Sequence, residues 1–238
     1  MKFKFLPNLI TLFNLFFGCI VTLLLIENNL EVRNVFIITV ICLVFDHLDG
    51  YLARRLNAKS DIGIQLDSLA DLVSFGLVPG ILMYNMFNEA PSSSIGSISA
   101  SFIPFTGFVI TLCSAYRLAR YNTRKSGLKF FKGLPTPANA VLIYSFAIIS
   151  AEGNAFSNII LDYKFLILIV MLSSILLISN LKLLNFKFKS LKFTGNRRRF
   201  FLIFISIPSL IILGIYAIPL VLSVYVIISI FTFYRLKN

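Results

Sequence analysis

Apolar residues run through this chain in long blocks separated by short polar ones. Eight blocks stand out: 8–26, 34–53, 66–87, 98–121, 134–151, 164–181, 199–215 and 217–234. A helix that crosses the roughly 30 Å hydrocarbon layer needs about 20 apolar residues. The pattern therefore predicts an all-α, polytopic membrane helical bundle. Only the stretch from Tyr216 to Pro219 divides the last two blocks, and a hairpin is expected there rather than one very long helix. Lys2 and Lys4 before the first block imitate a signal peptide. The apolar run continues to Glu27 with no small-residue cleavage site, and bulky Phe16 and Phe17 precede Gly18 and Cys19. The first block is read as a retained span.

Composition agrees with this reading. The chain is 58% hydrophobic and 13% charged, with a mean hydropathy of +0.88. Soluble domains are about 45–50% apolar and about 25% charged. Disorder, a fibrous protein and a water-soluble globule are excluded. The net charge of +12 would suggest nucleic acid in a soluble protein. Here the cations lie between apolar blocks, so the partner they imply is the lipid bilayer, and no nucleic acid is expected. If the blocks alternate in direction, all 22 cations except Arg33 and Lys164 fall on one side. The positive-inside rule makes that side cytoplasmic, with both termini on it. The basic, amphipathic segment 182–199 is expected to lie along the headgroups. Cys19, Cys42 and Cys113 are too few and too dispersed for a disulfide framework and are read as packing residues.

Five of the ten acidic residues fall between positions 46 and 71: Asp46, Asp49, Asp61, Asp67 and Asp71. Residues three, four and seven apart share a helix face. Asp46, Asp49, Gly50 and Ala53 form one stripe, with His47 about 100° away from it. Asp67 and Asp71 share a face of the next helix, with Gly63 one turn earlier. Two helices joined by a short turn run antiparallel, so the two carboxylate pairs can converge. Four carboxylates at a membrane interface repel one another and are costly to desolvate. Arg54 could neutralise one. An all-oxygen ligand set favours a hard divalent cation, Mg2+ or Mn2+, of the kind that also binds phosphates. Gly50 and Ala53 leave room for a ligand beside the first pair. A structural ion-pair network, or an ion path through a channel or transporter, is the alternative use of such a cluster.

The complete pattern, Asp-x2-Asp-Gly-x2-Ala-Arg-x8-Gly-x3-Asp-x3-Asp, is filled without a gap by Asp46, Asp49, Gly50, Ala53, Arg54, Gly63, Asp67 and Asp71. It resembles the signature of the CDP-alcohol phosphatidyltransferase family. The flanking residues 66–76 (LDSLADLVSFG), 117–122 (RLARYN) and 131–137 (FKGLPTP) resemble that family's phosphatidylserine synthase branch, as Pro7-Asn8-Leu9-Ile10-Thr11 resembles the family's opening. Ser68 and Leu72 stand where other branches carry Pro and Lys.

The resemblance implies a six-helix membrane core, usually a homodimer, whose polar site opens to the cytoplasm. Two C-terminal spans are added here. The expected organisation is a core at 1–181, the basic linker at 182–198 and a two-span hairpin at 199–238, in a bacterial-type inner (cell) membrane. The implied reaction passes the phosphatidyl group of CDP-diacylglycerol to the hydroxyl of L-serine and releases CMP. Asp46, Asp49, Asp67 and Asp71 would hold the metal. Asp71 would also be the general base, with a purely ligating role as its competitor. Arg54 suits a nucleotide phosphate by its fork geometry. Gly50 and Ala53 would let CDP-diacylglycerol approach, and Ser60, Asn8 and Thr11 match positions near its nucleotide. Arg117 and Arg120 could hold the lipid phosphate or the serine carboxylate, or merely anchor the span at the headgroups. Asp61 reads as a loop or capping residue. Within the same class, glycerol 3-phosphate or inositol phosphate is the competing acceptor.

Overall fold

The computed structural model describes residues 4–27, 31–91, 102–123, 131–184 and 197–235. Helix α1 covers Leu6–Glu27 and α2 covers Val32–Arg55. After a turn through Asn57, α3 (Asp61–Asp71) passes through a π-helical segment, Leu72–Leu77, into α4 (Val78–Glu89). A 3-10 turn at Ile103–Gly107 leads into α5 (Phe108–Asn122). Then come α6 (Thr136–Ser150), the short α7 (Ala155–Ile160) and α8 (Tyr163–Ile178). Strands β1 (Phe131–Lys132) and β2 (Lys182–Leu183) form a small antiparallel ribbon flanking α6 to α8. Helices α9 (Arg197–Leu213) and α10 (Ala217–Arg235) close the chain.

The helices sort by how their apolar residues are distributed. Helices α4 and α6 are apolar around most of their circumference, as central helices must be. Val78 to Met83 of α4 are all buried, and so is nearly every residue of α6. Around them α1, α2, α5 and α8 bury one face each and leave the other bare. Large side chains such as Ile62, Leu112, Phe204, Ile211 and Phe231 are more than two-thirds exposed. In water this surface would aggregate; a lipid layer is the solvent that accepts it. Leu6–Glu27, Val32–Arg55, the continuous rod Asp61–Glu89 and the stretch Arg199–Thr232 are long and apolar enough to cross a membrane. Thr136–Ser150 and Tyr163–Ile178 are shorter apolar helices. The chain is an all-α, multi-pass membrane protein.

The sequence expectations need three adjustments. The third span starts earlier than 66 and carries a π-helical turn that no periodicity argument foresaw. The fourth passes, among the described residues, through a 3-10 turn at Ile103–Gly107 before α5. The segment expected to lie along the headgroups starts instead as strand β2 at Lys182, while its residues 185–196 lie outside the described part. Helices α9 and α10 pack against each other. Leu202 and Tyr225 share one apolar cluster, although a straight helix would hold them about 34 Å apart. The reversal occurs at Gly214, whose φ of 56° ends the regular helix.

Polar contacts fix the two ends of the bundle. At one end Arg33 pairs with Glu152 at 3.1 Å, and Tyr216 in the hairpin turn bonds to Glu152 and Asn154. At the other end the ribbon is stitched to α8: the Gly133 N–H donates to Leu181 and the Leu134 N–H to Leu176, both at 2.9 Å. Gly133 has a φ of 75°, and an added Cβ would stand 2.6 Å from the Leu177 carbonyl oxygen. Gly133→Ala is therefore expected to cost about 1–3 kcal/mol, read as a lowered thermal midpoint of the detergent-solubilised protein.

Candidate active site

The site is built where the end of α2 meets α3. Ser60 caps α3, its hydroxyl oxygen accepting the Gly63 N–H at 3.0 Å, so the turn at 56–60 sends the chain straight back. Asp61 is thus the first helical residue, and Ser60 rather than Asp61 is the cap. Helix α1 lies against both partners. Asn8 packs against Gly63, where a Cβ would come within 2.9 Å of its Oδ1. The Thr11 hydroxyl donates to Asp49 Oδ2 at 2.6 Å.

Asp46, Asp49 and Asp67 each offer a carboxylate oxygen within 4.8 Å of the others. Asp71 stands outside this group of three and reaches Asp46. Asp49 and Asp71 are buried, at 5% and 8% exposure. The Asp71 Oδ1 accepts no hydrogen bond among the described residues. Two cations face the four acids: Arg54 interacts with Asp49 and Arg117 with Asp71. The balance remains negative in a site sunk about 10–15 Å below the helix ends. Like charges this close repel strongly in a weakly polarisable setting. The donor set is all oxygen, crowded, and includes a buried oxygen with no donor. It fits a hard divalent cation.

The other expected residues are distributed around this centre. Gly50 has only the Arg54 guanidinium near its open side, at 3.5 Å from an added Cβ. Ala53 lies one turn further along α2, and Arg54 and Ser60 are exposed at the mouth. His47 is exposed, off the stripe. Arg117 and Arg120 part company. Arg117 turns toward Asp71 and donates to the Thr136 hydroxyl at 3.3 Å. Arg120 donates to the Ile178 carbonyl at 3.0 Å and to Asn180, tying α5 to the end of α8. Both line a basic cleft with Tyr121, Lys132, Leu177 and Ile178.

Two residues were quoted in the flanking motifs without a role. Asn122 donates to Ser68 at 2.9 Å and so holds α3, with its acids, against α5. Thr136 is buried and receives Arg117. Neither contact follows from helical spacing, because each joins residues distant in sequence. The π-helical segment directly after Asp71 was also unforeseen. Thr111 donates to the Gly76 carbonyl at 3.0 Å, supplying a donor where the helical ladder is disturbed.

An all-α membrane bundle with acids from consecutive helices gathered below one interface has the residues to hold a divalent cation there. The particular family is shown by comparison. The model of the CDP-alcohol phosphatidyltransferase family matches residues 4–179, and the chain belongs to that family. Its members use a divalent metal. A CDP-diacylglycerol–serine O-phosphatidyltransferase of Methanocaldococcus jannaschii is 33% identical over 177 residues, covering 74% of this chain and 72% of that protein. The protein of the same name from Helicobacter pylori strain 26695 is 32% identical over 232 residues, covering 94% of this chain and 89% of its own. That match extends past residue 179 into the C-terminal hairpin. An archaetidylserine synthase of Methanothermobacter thermautotrophicus is 36% identical over 148 residues, covering 61% of this chain and 58% of that protein.

The Thr11 hydroxyl fixes the direction of one carboxylate lone pair, and such outer partners typically govern affinity by about 10–100-fold. Thr11→Val, nearly equal in shape, should weaken Mn2+ binding by at least about tenfold. Titration of the purified protein followed by Mn2+ electron paramagnetic resonance measures this directly, with an unchanged thermal midpoint as the control for folding.

Proposed function

We propose that this chain transfers the phosphatidyl group of CDP-diacylglycerol to L-serine, forming phosphatidylserine and releasing CMP. The observation that carries the reading is the convergence of Asp46, Asp49, Asp67 and Asp71 from two consecutive helices at the interface end of the bundle. It is supported by relatives whose names specify this transfer or a serine-bearing archaeal lipid. An ion channel would need the acids to line a continuous path. Here Asp46, Asp49 and Asp67 offer oxygens to a single point, and Asp49 and Asp71 are buried.

Asp46, Asp49 and Asp67 hold the divalent cation, Mg2+ or Mn2+, with Asp71 at its edge. When bound, the cation neutralises the pyrophosphate and stabilises the departing CMP. Arg54 at the mouth binds a nucleotide phosphate as a bidentate fork. Gly50 and Ala53 leave the α2 surface low enough for the nucleotide, with Ser60, Asn8 and Thr11 along its edge. The serine hydroxyl oxygen attacks the phosphatidyl phosphorus, the bond from that phosphorus to the CMP oxygen breaks, and the hydroxyl proton passes to Asp71. Asp71 takes the proton as the oxygen attacks, in the role of a general base. Arg117, between Asp71 and Thr136, orients the acceptor through its carboxylate. Arg120 supports this wall of the cleft.

The cation-rich end faces the cytoplasm, so substrate enters from the inner leaflet of the cell membrane. The core at 1–181 carries the chemistry, and 199–238 forms an accessory hairpin. The working unit is a homodimer, which chemical crosslinking in membranes tests.

CMP release in mixed micelles of CDP-diacylglycerol decides the activity. Release is expected only with L-serine and a divalent cation together. Product with glycerol 3-phosphate but not with serine would move the assignment within the family, and cation flux in liposomes without CMP release would overturn it. Asp49→Asn and Asp67→Asn should each lower the rate to below about one hundredth while the protein still inserts in membranes. Chelation by EDTA should abolish wild-type turnover, and Mn2+ or Mg2+ should restore it.

A further inference from the structure

The C-terminal hairpin lies beyond the part of the chain that the family model matches. Its contacts with the rest of the protein are specific. Tyr225 and Ser229 are four residues apart and share one face of α10. The Tyr225 hydroxyl donates to the Leu184 carbonyl at 2.8 Å, and the Leu184 N–H donates to the Ser229 hydroxyl oxygen at 3.2 Å. One residue thus has both backbone groups held by side chains of a single helix. Leu184 follows directly on strand β2. Next to it, Leu183 is fully buried in a small cluster with Leu134, Leu202 and Tyr225, separate from the main core.

Strand β2 leads into the cleft. It pairs with β1, placing Lys132 opposite Lys182. The chain then passes through Gly133 and Leu134, which are bonded to Leu181 and Leu176, and reaches Thr136, the partner of Arg117. Arg120 grips the same region through Ile178 and Asn180. The hairpin is also held at its far end, where Tyr216 meets Glu152 and Asn154. It is anchored at both ends of the bundle and presses on the segment that shapes the cleft around Arg117, Arg120 and Lys132.

We propose that the C-terminal hairpin positions the acceptor side of the active site, with Tyr225 and Ser229 as positioning residues that act through Leu184, the ribbon and Thr136 on Arg117. The carboxylate cluster belongs to α2 and α3, which the hairpin's bonds to Leu184 do not reach. Loss of those bonds loosens acceptor binding and leaves metal binding alone. The inference rests on the serine-transfer reading above.

The test compares wild type with Tyr225→Phe, Ser229→Ala and the double variant, each full length in mixed micelles. A lost hydrogen bond of ordinary strength corresponds to about a two- to tenfold change. Each single variant should raise the KM for L-serine by about that factor, with more in the double variant, while kcat and Mn2+ affinity stay within about twofold. Ser229→Thr, which keeps the hydroxyl, should restore the wild-type KM. Amide exchange at 181–184 should accelerate in the double variant, a readout independent of any substrate. A wild-type serine KM in the double variant overturns the proposal, as does an equal loss of Mn2+ affinity, which would mark general loosening. If the double variant does not purify, Tyr225→Phe alone decides the matter by the same two measurements. A wild type that releases no CMP with serine fails the functional reading instead, and amide exchange still judges the hairpin.

Discussion

Mutual repulsion among four buried acids is the constraint around which this molecule is organised. Helices α2 and α3 are joined by a turn so short that Asp46 and Asp49 have nowhere to go but toward Asp67 and Asp71. Left to themselves the charges would drive the helices apart. What opposes them is packing elsewhere: the rod that continues α3 as α4 is packed against α5 and α6, and α1 lies across both halves of the site. Arg54 and Arg117 offset part of the charge from either side. The remaining excess is what gives the site its appetite for a divalent cation.

The surroundings show how a membrane bundle holds such a site still. The interior below the acids is not uniformly greasy. The Ser74 hydroxyl meets the Asn14 side chain at 2.8 Å, linking the π-helical segment to α1, and Thr39 meets Tyr144 at 2.6 Å, linking α2 to α6. Such bonds add direction to packing that lipid alone would leave slippery, since tails and leucines are equally apolar. Thr11 and Asn122 do the same at the site itself, one orienting Asp49 and the other holding α3. The polar residues of this bundle thus lie mostly between helices.

Much of this was legible in the chain. The apolar blocks gave the all-α membrane bundle, because hydrocarbon thickness dictates span length. The i, i+3 and i, i+4 spacings gave the two carboxylate pairs, because helical geometry is local. What escaped was everything decided by partners far away in sequence. Arg117 and Arg120 look equivalent three residues apart, yet one meets Asp71 and Thr136 while the other meets Ile178 and Asn180. The ribbon of Lys132 and Lys182 reads as ordinary basic linker until its two halves are seen side by side. The bond from the Thr11 hydroxyl to Asp49, 38 residues away, is likewise invisible to helical spacing.

The π-helical turn after Asp71 lets one continuous rod serve two masters. A regular helix would carry the acidic stripe of α3 onward at the same angle, into the buried apolar surface of α4. The widened turn inserts a slip in phase, so the face that meets ions and the face that meets apolar neighbours are set independently. Repacking of the buried apolar half against its neighbours then need not turn the acids out of the site.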